Sequence, residues 1–161
     1  MWSTMSKVLI IYYSESGNTK KMAEYIAEGV EKKNVEIEVK SVSEAEVDEL
    51  PNVNGIIIGS PTYYGSMAAE IKKFIDKSIK YHGKLEGKIG GAFSSSANIA
   101  GGNETTIMDI LKAFLIHGMV VQGTSKGDHY GPVAIGTPDD RSKKLCIEYG
   151  QRIAKLVLKT Q

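Results

Sequence analysis

Residues 8–19, Val-Leu-Ile-Ile-Tyr-Tyr-Ser-Glu-Ser-Gly-Asn-Thr, run from an apolar segment straight into a polar loop. The apolar residues show no alternation, the pattern of a parallel strand covered on both faces, here Lys7–Tyr13. A helical pattern takes over at Lys20, with Met22, Ala23, Ile26 and Val30 on one face. Strand, polar loop and helix start in direct succession are how α/β proteins hold a phosphate, because a helix N-terminus offers unpaired N–H groups and partial positive charge. Ser14, Ser16 and Thr19 add hydroxyl donors, and Gly17 allows close backbone approach. The loop contains neither G-x-x-x-x-G-K-[ST] nor G-x-G-x-x-G, which argues against a triphosphate P-loop and a dinucleotide fingerprint. The same residues also make an ordinary turn and N-cap, so the loop alone leaves both readings open.

Working outward, Asn34–Lys40 alternates Val35, Ile37 and Val39 with charged residues, as a half-exposed edge strand does. Ser41–Pro51 reads as a polar surface connection, and Gly55–Gly59 as a short buried strand stopped by Ser60-Pro61. Met67, Ile71, Phe74, Ile75 and Ile79 mark a second helix. Lys88–Ser95 is a fourth strand whose Gly90, Gly91 and Ala92 leave room for something packed close against it. Ile107, Ile110, Leu111, Phe114 and Leu115 mark a third helix, Met119–Val121 a fifth strand, and Gly123–Thr137 a glycine-rich loop. Pro138 opens a last helix with Leu145, Tyr149, Ile153, Leu156 and Val157 inward. Strands alternating with helices over short connections predict an α/β, doubly wound five-stranded parallel sheet of order 2-1-3-4-5 with helices on both faces. Residues 1–5 read as a disordered lead-in to a single domain over 6–161.

Composition narrows the function. The 161 residues carry 42% hydrophobic and 24% charged side chains, as a globular protein does, and are long enough to bury a core. A net charge of +1 without a basic run argues against nucleic acid. It also lacks the strong acidity with which many electron carriers steer onto basic partners. No apolar run reaches the length of a membrane span, and the single Cys146 points to a reducing compartment, hence a cytoplasmic protein. Three scattered histidines give no metal-ligand spacing. Gly59-Ser60 stands where a receiver domain needs carboxylates, and the phosphate loop lacks the thiol of a cysteine phosphatase.

Three loops follow strands 1, 3 and 4 and must share one end of the sheet: Ser14–Thr19, Ser60–Ser66 and Ser94–Gly102. The second holds Tyr63 and Tyr64, faces on which a flat cofactor could stack. The third is rich in small residues that admit a ring edge. Loop anchoring and a flexible linker are the plain alternatives for each taken singly.

Pro61-Thr62-Tyr63-Tyr64-Gly65-Ser66-Met67-Ala68, Phe93-Ser94-Ser95, Gly101-Gly102-Asn103-Glu104-Thr105-Thr106, His117-Gly118-Met119-Val120 and His129-Tyr130-Gly131-Pro132 resemble one branch of the flavodoxin-like family. That branch is the NAD(P)H:quinone oxidoreductases of the tryptophan-repressor-binding-protein type, and the similarity runs from Lys7 to the last helix. The resemblance implies flavin mononucleotide (FMN) as cofactor, with its phosphate on Ser14, Glu15, Ser16, Gly17, Asn18 and Thr19. Pro61, Thr62, Tyr63, Tyr64 and Gly65 would line the isoalloxazine. Ser94, Ser95, Ser96, Ala97, Asn98, Gly101 and Gly102 would close over the opposite edge, and His117 would approach from the start of strand 5. On its own physics His117 reads first as a cap on a helix C-terminus, and only the resemblance turns it toward the flavin. No side chain is needed as catalytic acid or base, since the flavin carries the chemistry. NADH or NADPH is the expected donor and a quinone the acceptor, with a flavodoxin-type carrier between redox proteins as the alternative. Two departures stand out: the chain is shorter after Lys80, where those enzymes carry an insertion, and Ala97–Ala100 replaces a glycine-rich stretch. Both bear on substrate and on whether a homodimer or homotetramer forms.

Overall fold

The computed structural model describes residues 5–160. Strand β1 (Lys7–Tyr12) leads to helix α1 (Asn18–Glu31) and strand β2 (Glu36–Ser41). A 3₁₀ segment (Val47–Asn52) precedes β3 (Gly55–Pro61), and α2 (Ala69–Lys77) runs on into a second 3₁₀ turn, Ser78–Tyr81. Then follow β4 (Ile89–Ser96), α3 (Asn103–Ile116), β5 (Val120–Val121), β6 (Val133–Ile135) and α4 (Asp140–Lys159). The strands pair in parallel in the order β2-β1-β3-β4-β5, with β6 also on β4.

The unbroken apolar run of β1 serves two cores. Val8 and Ile10 face α1 and α4, among Met22, Ile26, Val30, Tyr149, Ile153 and Val157. Leu9 and Ile11 face α2 and α3, among Ile71, Phe74, Ile107, Ile110 and Phe114. Period-two side chains in a strand covered on both faces leave no polar position to spare.

Four expectations change in detail. Helix α1 begins at Asn18, ahead of Lys20. The stretch 41–51 runs into the Val47–Asn52 3₁₀ segment, capped by Glu46 and Glu49, and sends Ala45 and Leu50 into the core. The proposed lead-in falls mostly on residues 1–4, outside the described residues; Met5 is exposed, whereas the Ser6 carbonyl already accepts the Glu36 N–H at 2.9 Å. The largest change is in the fifth strand, which is split in two. Val120–Val121 pairs Ile89–Gly90, Val133–Ile135 pairs Ser94–Ser96, and residues 122–132 leave the sheet between them.

The split leaves the Ala92 N–H facing a gap, because Ser94 and Ser96 on the same side of β4 bond to Pro132 and Gly136. The Tyr149 hydroxyl fills it, accepting that N–H at 2.9 Å from a fully covered position on α4. This explains one small residue of β4: a Cβ at Gly91 would stand 2.3 Å from the Tyr149 hydroxyl, whereas Gly90 makes room for Phe114. Tyr149→Phe is therefore expected to orphan a buried N–H and lower unfolding free energy by about 1–3 kcal/mol. Urea unfolding checks this, and an unchanged midpoint would show that another group takes the N–H.

Candidate functional site

Parallel pairing brings the ends of β1, β3 and β4 to one edge, and the three loops that follow them meet there. In the first loop Gly17 sits in the left-handed region (φ 96°), where its N–H donates to Ser14 Oγ at 3.1 Å. The first helical bond runs from Lys21 N–H to the Gly17 carbonyl at 3.0 Å, and no side chain caps α1. Helix geometry therefore leaves the N–H groups of Asn18, Thr19 and Lys20 without an intrahelical acceptor. The space beside Gly17 is empty: a Cβ there would meet nothing within 4 Å. Glu15 and Ser16 are exposed on the loop crest, while Thr19 is buried and its Oγ1 lies 2.9 Å from Ser95 Oγ.

The second loop is a tight reversal. Tyr63 and Ser66 exchange backbone bonds of 2.8 and 3.1 Å, and Tyr64 (φ 49°) and Gly65 (φ 80°) both take positive φ, as a type I′ turn requires. Tyr64 is thereby thrust wholly into solvent. Tyr63 turns back toward the first loop, donating its hydroxyl to Glu15 Oε2 at 2.9 Å and meeting Tyr13 edge-on at 6.4 Å. Partial burial and then the Glu15 carboxylate push its pKa up to about 12, so it stays a phenol donor. The hairpin is also fastened to α3. Thr105 Oγ1 donates to the Gly65 carbonyl at 2.6 Å, Ser66 Oγ to Asp109 Oδ2 at 2.7 Å, and a Cβ at Gly102 would stand 2.6 Å from Gly65 Cα.

The third loop leaves β4 through three buried serines. Ser94 Oγ lies 2.9 Å from Thr62 Oγ1, Ser95 carbonyl accepts Thr62 N–H at 2.7 Å, and Ser96 Oγ accepts from Asn103 Nδ2 at 3.1 Å. Ala97, Asn98 and Ile99 are exposed, Gly101 N–H bonds back to the Asn98 carbonyl, and Gly102 (φ 105°) stands at the start of α3.

Together the loops enclose an open depression of about 540 Å³ lined by Glu15, Ser16, Asn18, Thr19, Pro61, Thr62, Tyr63, Ser95, Ser96, Ala97 and Gly136. Ser14, Gly17, Tyr64, Gly65, Ser94, Asn98, Gly101 and Gly102 belong to the same three loops but do not line it, and Tyr64 stands fully exposed. His117 is not among them. It ends α3 at the opposite end of the sheet, its Nε2 2.8 Å from Ser78 Oγ and its ring 6.1 Å from His82. Burial, then His82, hold its pKa below the usual value. A strand start in a parallel sheet lies at the end away from the ligand loops, so His117 cannot reach the depression within this chain, and its expected flavin contact is corrected. Gly136, Thr105, Asn103 and Asp109 were missed; the last three lie in or just past the quoted Gly101–Thr106 motif, whereas Gly136 carried no signal beyond being a loop glycine.

An anion at uncapped helix N–H groups, a flat group beside Tyr63 and small-residue backbone opposite are what this edge can hold. The family pattern for a flavodoxin domain matches residues 9–116. The chain belongs to the flavodoxin family. It is 39% identical over 95% of its length to a protein named flavodoxin from Aquifex aeolicus (strain VF5), covering 88% of that relative. It is 41% identical to a protein named NAD(P)H dehydrogenase (quinone) from Sinorhizobium fredii (strain NBRC 101917 / NGR234), over 74% of this chain and 71% of the relative. Among solved structures, a crystal structure titled flavodoxin, WrbA-like protein, from Agrobacterium tumefaciens superposes with TM-score 0.84 at 28% identity, over 97% of this chain and 99% of that one. Other features of this flavodoxin-family chain are quiet. Cys146 is buried and its thiol is pushed up to about 12, which removes it as a nucleophile. Among the described residues no group of ligating side chains could hold a metal ion, and no helix is long and apolar enough to cross a membrane.

Proposed function

We propose that this protein binds FMN in the 540 Å³ depression and acts as an NAD(P)H:quinone-type oxidoreductase. The observation that carries the reading is the convergence of uncapped α1 N–H groups, the Tyr63 hairpin and the buried serine loop on one open concavity. The Asn18, Thr19 and Lys20 N–H groups with Ser14 and Ser16 hydroxyls would hold the phosphate. Tyr63 and the backbone of residues 61–65 would border the ring, and Ser95–Ala97 its other edge. When bound, FMN supplies the redox chemistry, accepting a hydride and giving up one or two electrons. The chain holds the ring on a pinned hairpin and leaves its rim open to a second flat molecule. Near-neutral charge and the Sinorhizobium relative's name support a pyridine-nucleotide donor and a quinone acceptor.

A carrier function has one observation of its own: the relative named flavodoxin from Aquifex aeolicus aligns over 95% of this chain at 39% identity. Anaerobic titration of FMN-loaded protein with NADPH and NADH separates the two. Direct bleaching of the visible flavin bands by either nucleotide supports the oxidoreductase. Tight FMN binding without bleaching supports the carrier, and failure to bind FMN removes both.

The hairpin's fastening gives a separate expectation. Thr105→Val combined with Ser66→Ala removes two hydrogen bonds of about 0.5–1.5 kcal/mol each, so FMN and riboflavin should both bind roughly tenfold more weakly. Equal loss for the two ligands marks a ring-side effect; loss for FMN alone would place the hairpin on the phosphate side.

A further inference from the structure

A second concavity, about 650 Å³, is lined by Ser14, Glu15 and Gly17 of the phosphate loop and shares Glu15 with the flavin depression. It opens at the C-terminal ends of β1 and β2, beside Glu70, Lys73, Phe74 and Lys77 of α2, next to the β1/β3 switch point where doubly wound sheets bind ligands. Its volume falls within the range of about 300–1,000 Å³ typical of small-molecule sites. Tyr12, Tyr13 and Phe74 give it aromatic walls.

Its charges are unevenly committed. Lys20, Lys73 and Lys77 line it, and none of them makes an ion pair or side-chain hydrogen bond among the described residues. Two of its three carboxylates are engaged: Glu15 accepts the Tyr63 hydroxyl and Glu46 caps its own 3₁₀ segment, while Glu70 is the third in the lining. Lys73 and Lys77 stand one helical turn apart on α2, and Lys20 lines the same concavity from the first turn of α1. Lys72 and Lys80, also from α2 and the turn after it, are by contrast paired with Asp76 and Asp48.

We infer that this second concavity is a nucleotide site, with the three lysines taking a free phosphate and the tyrosines and Phe74 the base. A phosphorylated aromatic ligand matches both halves of the lining, whereas an acidic protein surface would meet the lysines but not the recessed aromatic walls. The inference goes beyond the flavin reading and does not rest on it.

Calorimetric titration of FMN-loaded protein with adenosine 2′,5′-bisphosphate, with inorganic phosphate in parallel, tests it; prior FMN loading blocks entry into the flavin depression. Saturable binding is expected, at least tenfold tighter than that of phosphate. Lys73→Glu with Lys77→Glu, both exposed on α2, should weaken it at least tenfold and leave FMN affinity unchanged. No saturable binding, equal affinity for phosphate, or indifference to the double substitution would each overturn the assignment. If the protein fails to take up FMN, the same titration on the FMN-free chain still reads the lysine dependence, so the two readings fail separately.

Discussion

Gly17→Leu protein is expected to bind FMN at least 100-fold more weakly than the parent, to bind riboflavin nearly as well, and to remain folded. Two features of Gly17 set these outcomes apart. Its φ of 96° is open to glycine and strained for leucine, and a Cβ there would meet no protein atom within 4 Å. The fold therefore meets no clash, only a backbone penalty of roughly 1–2 kcal/mol. The ligand meets both effects. A leucine side chain would stand where a phosphate must approach the Asn18, Thr19 and Lys20 N–H groups, and relaxing φ would turn those groups away. Losing charge-assisted hydrogen bonds of about 1.5–3 kcal/mol each explains the hundredfold scale. Riboflavin lacks the phosphate and senses only the ring side. Flavin fluorescence titration reads both affinities, and thermal unfolding by circular dichroism reads the fold. Full FMN affinity in the variant would remove the phosphate from this loop.

Much of this was legible because long elements carry a period. The two-sided burial of Val8–Ile11, the helical stripes at Met22–Val30 and Ile107–Phe114, and the parallel order followed from residue spacing alone. The loops after β1, β3 and β4 could be placed together because topology allows them nowhere else. Strands of two and three residues have no period to read, so the division of the fifth strand around residues 122–132 did not show. Nor did the Glu15–Tyr63 bond, which joins positions 48 apart through side chains whose meeting depends on a turn of positive φ. His117 is different: its misplacement was avoidable. Adjacency to a strand suggests a site only when the residue follows the strand, and His117 precedes one.

Gly150→Ala should lower unfolding free energy by about 3 kcal/mol, the upper part of the range for forcing a methyl into a packed seam. Helices α1 and α4 touch backbone to backbone through a reciprocal glycine pair. A Cβ at Gly150 would stand 2.0 Å from the Ile26 carbonyl oxygen, and one at Gly29 2.0 Å from that of Ile147. Neither obstacle is a flexible side-chain end, so the added methyl has to part the helices and loosen Met22, Ile26, Tyr149 and Ile153 beneath them. Urea unfolding should be followed with and without FMN, because a ligand at 100 times its Kd adds about 2.7 kcal/mol and would hide most of the loss. The increment from FMN itself should match the parent's. Ile26, whose carbonyl meets the added methyl, lies about 12 Å along α1 from Asn18 at about 1.5 Å per residue, and the phosphate loop is held separately by Thr19 on Ser95. A smaller FMN increment in the variant would instead mean that α1 moves as one rigid body, transmitting strain at its far end to the N–H groups proposed to hold the phosphate.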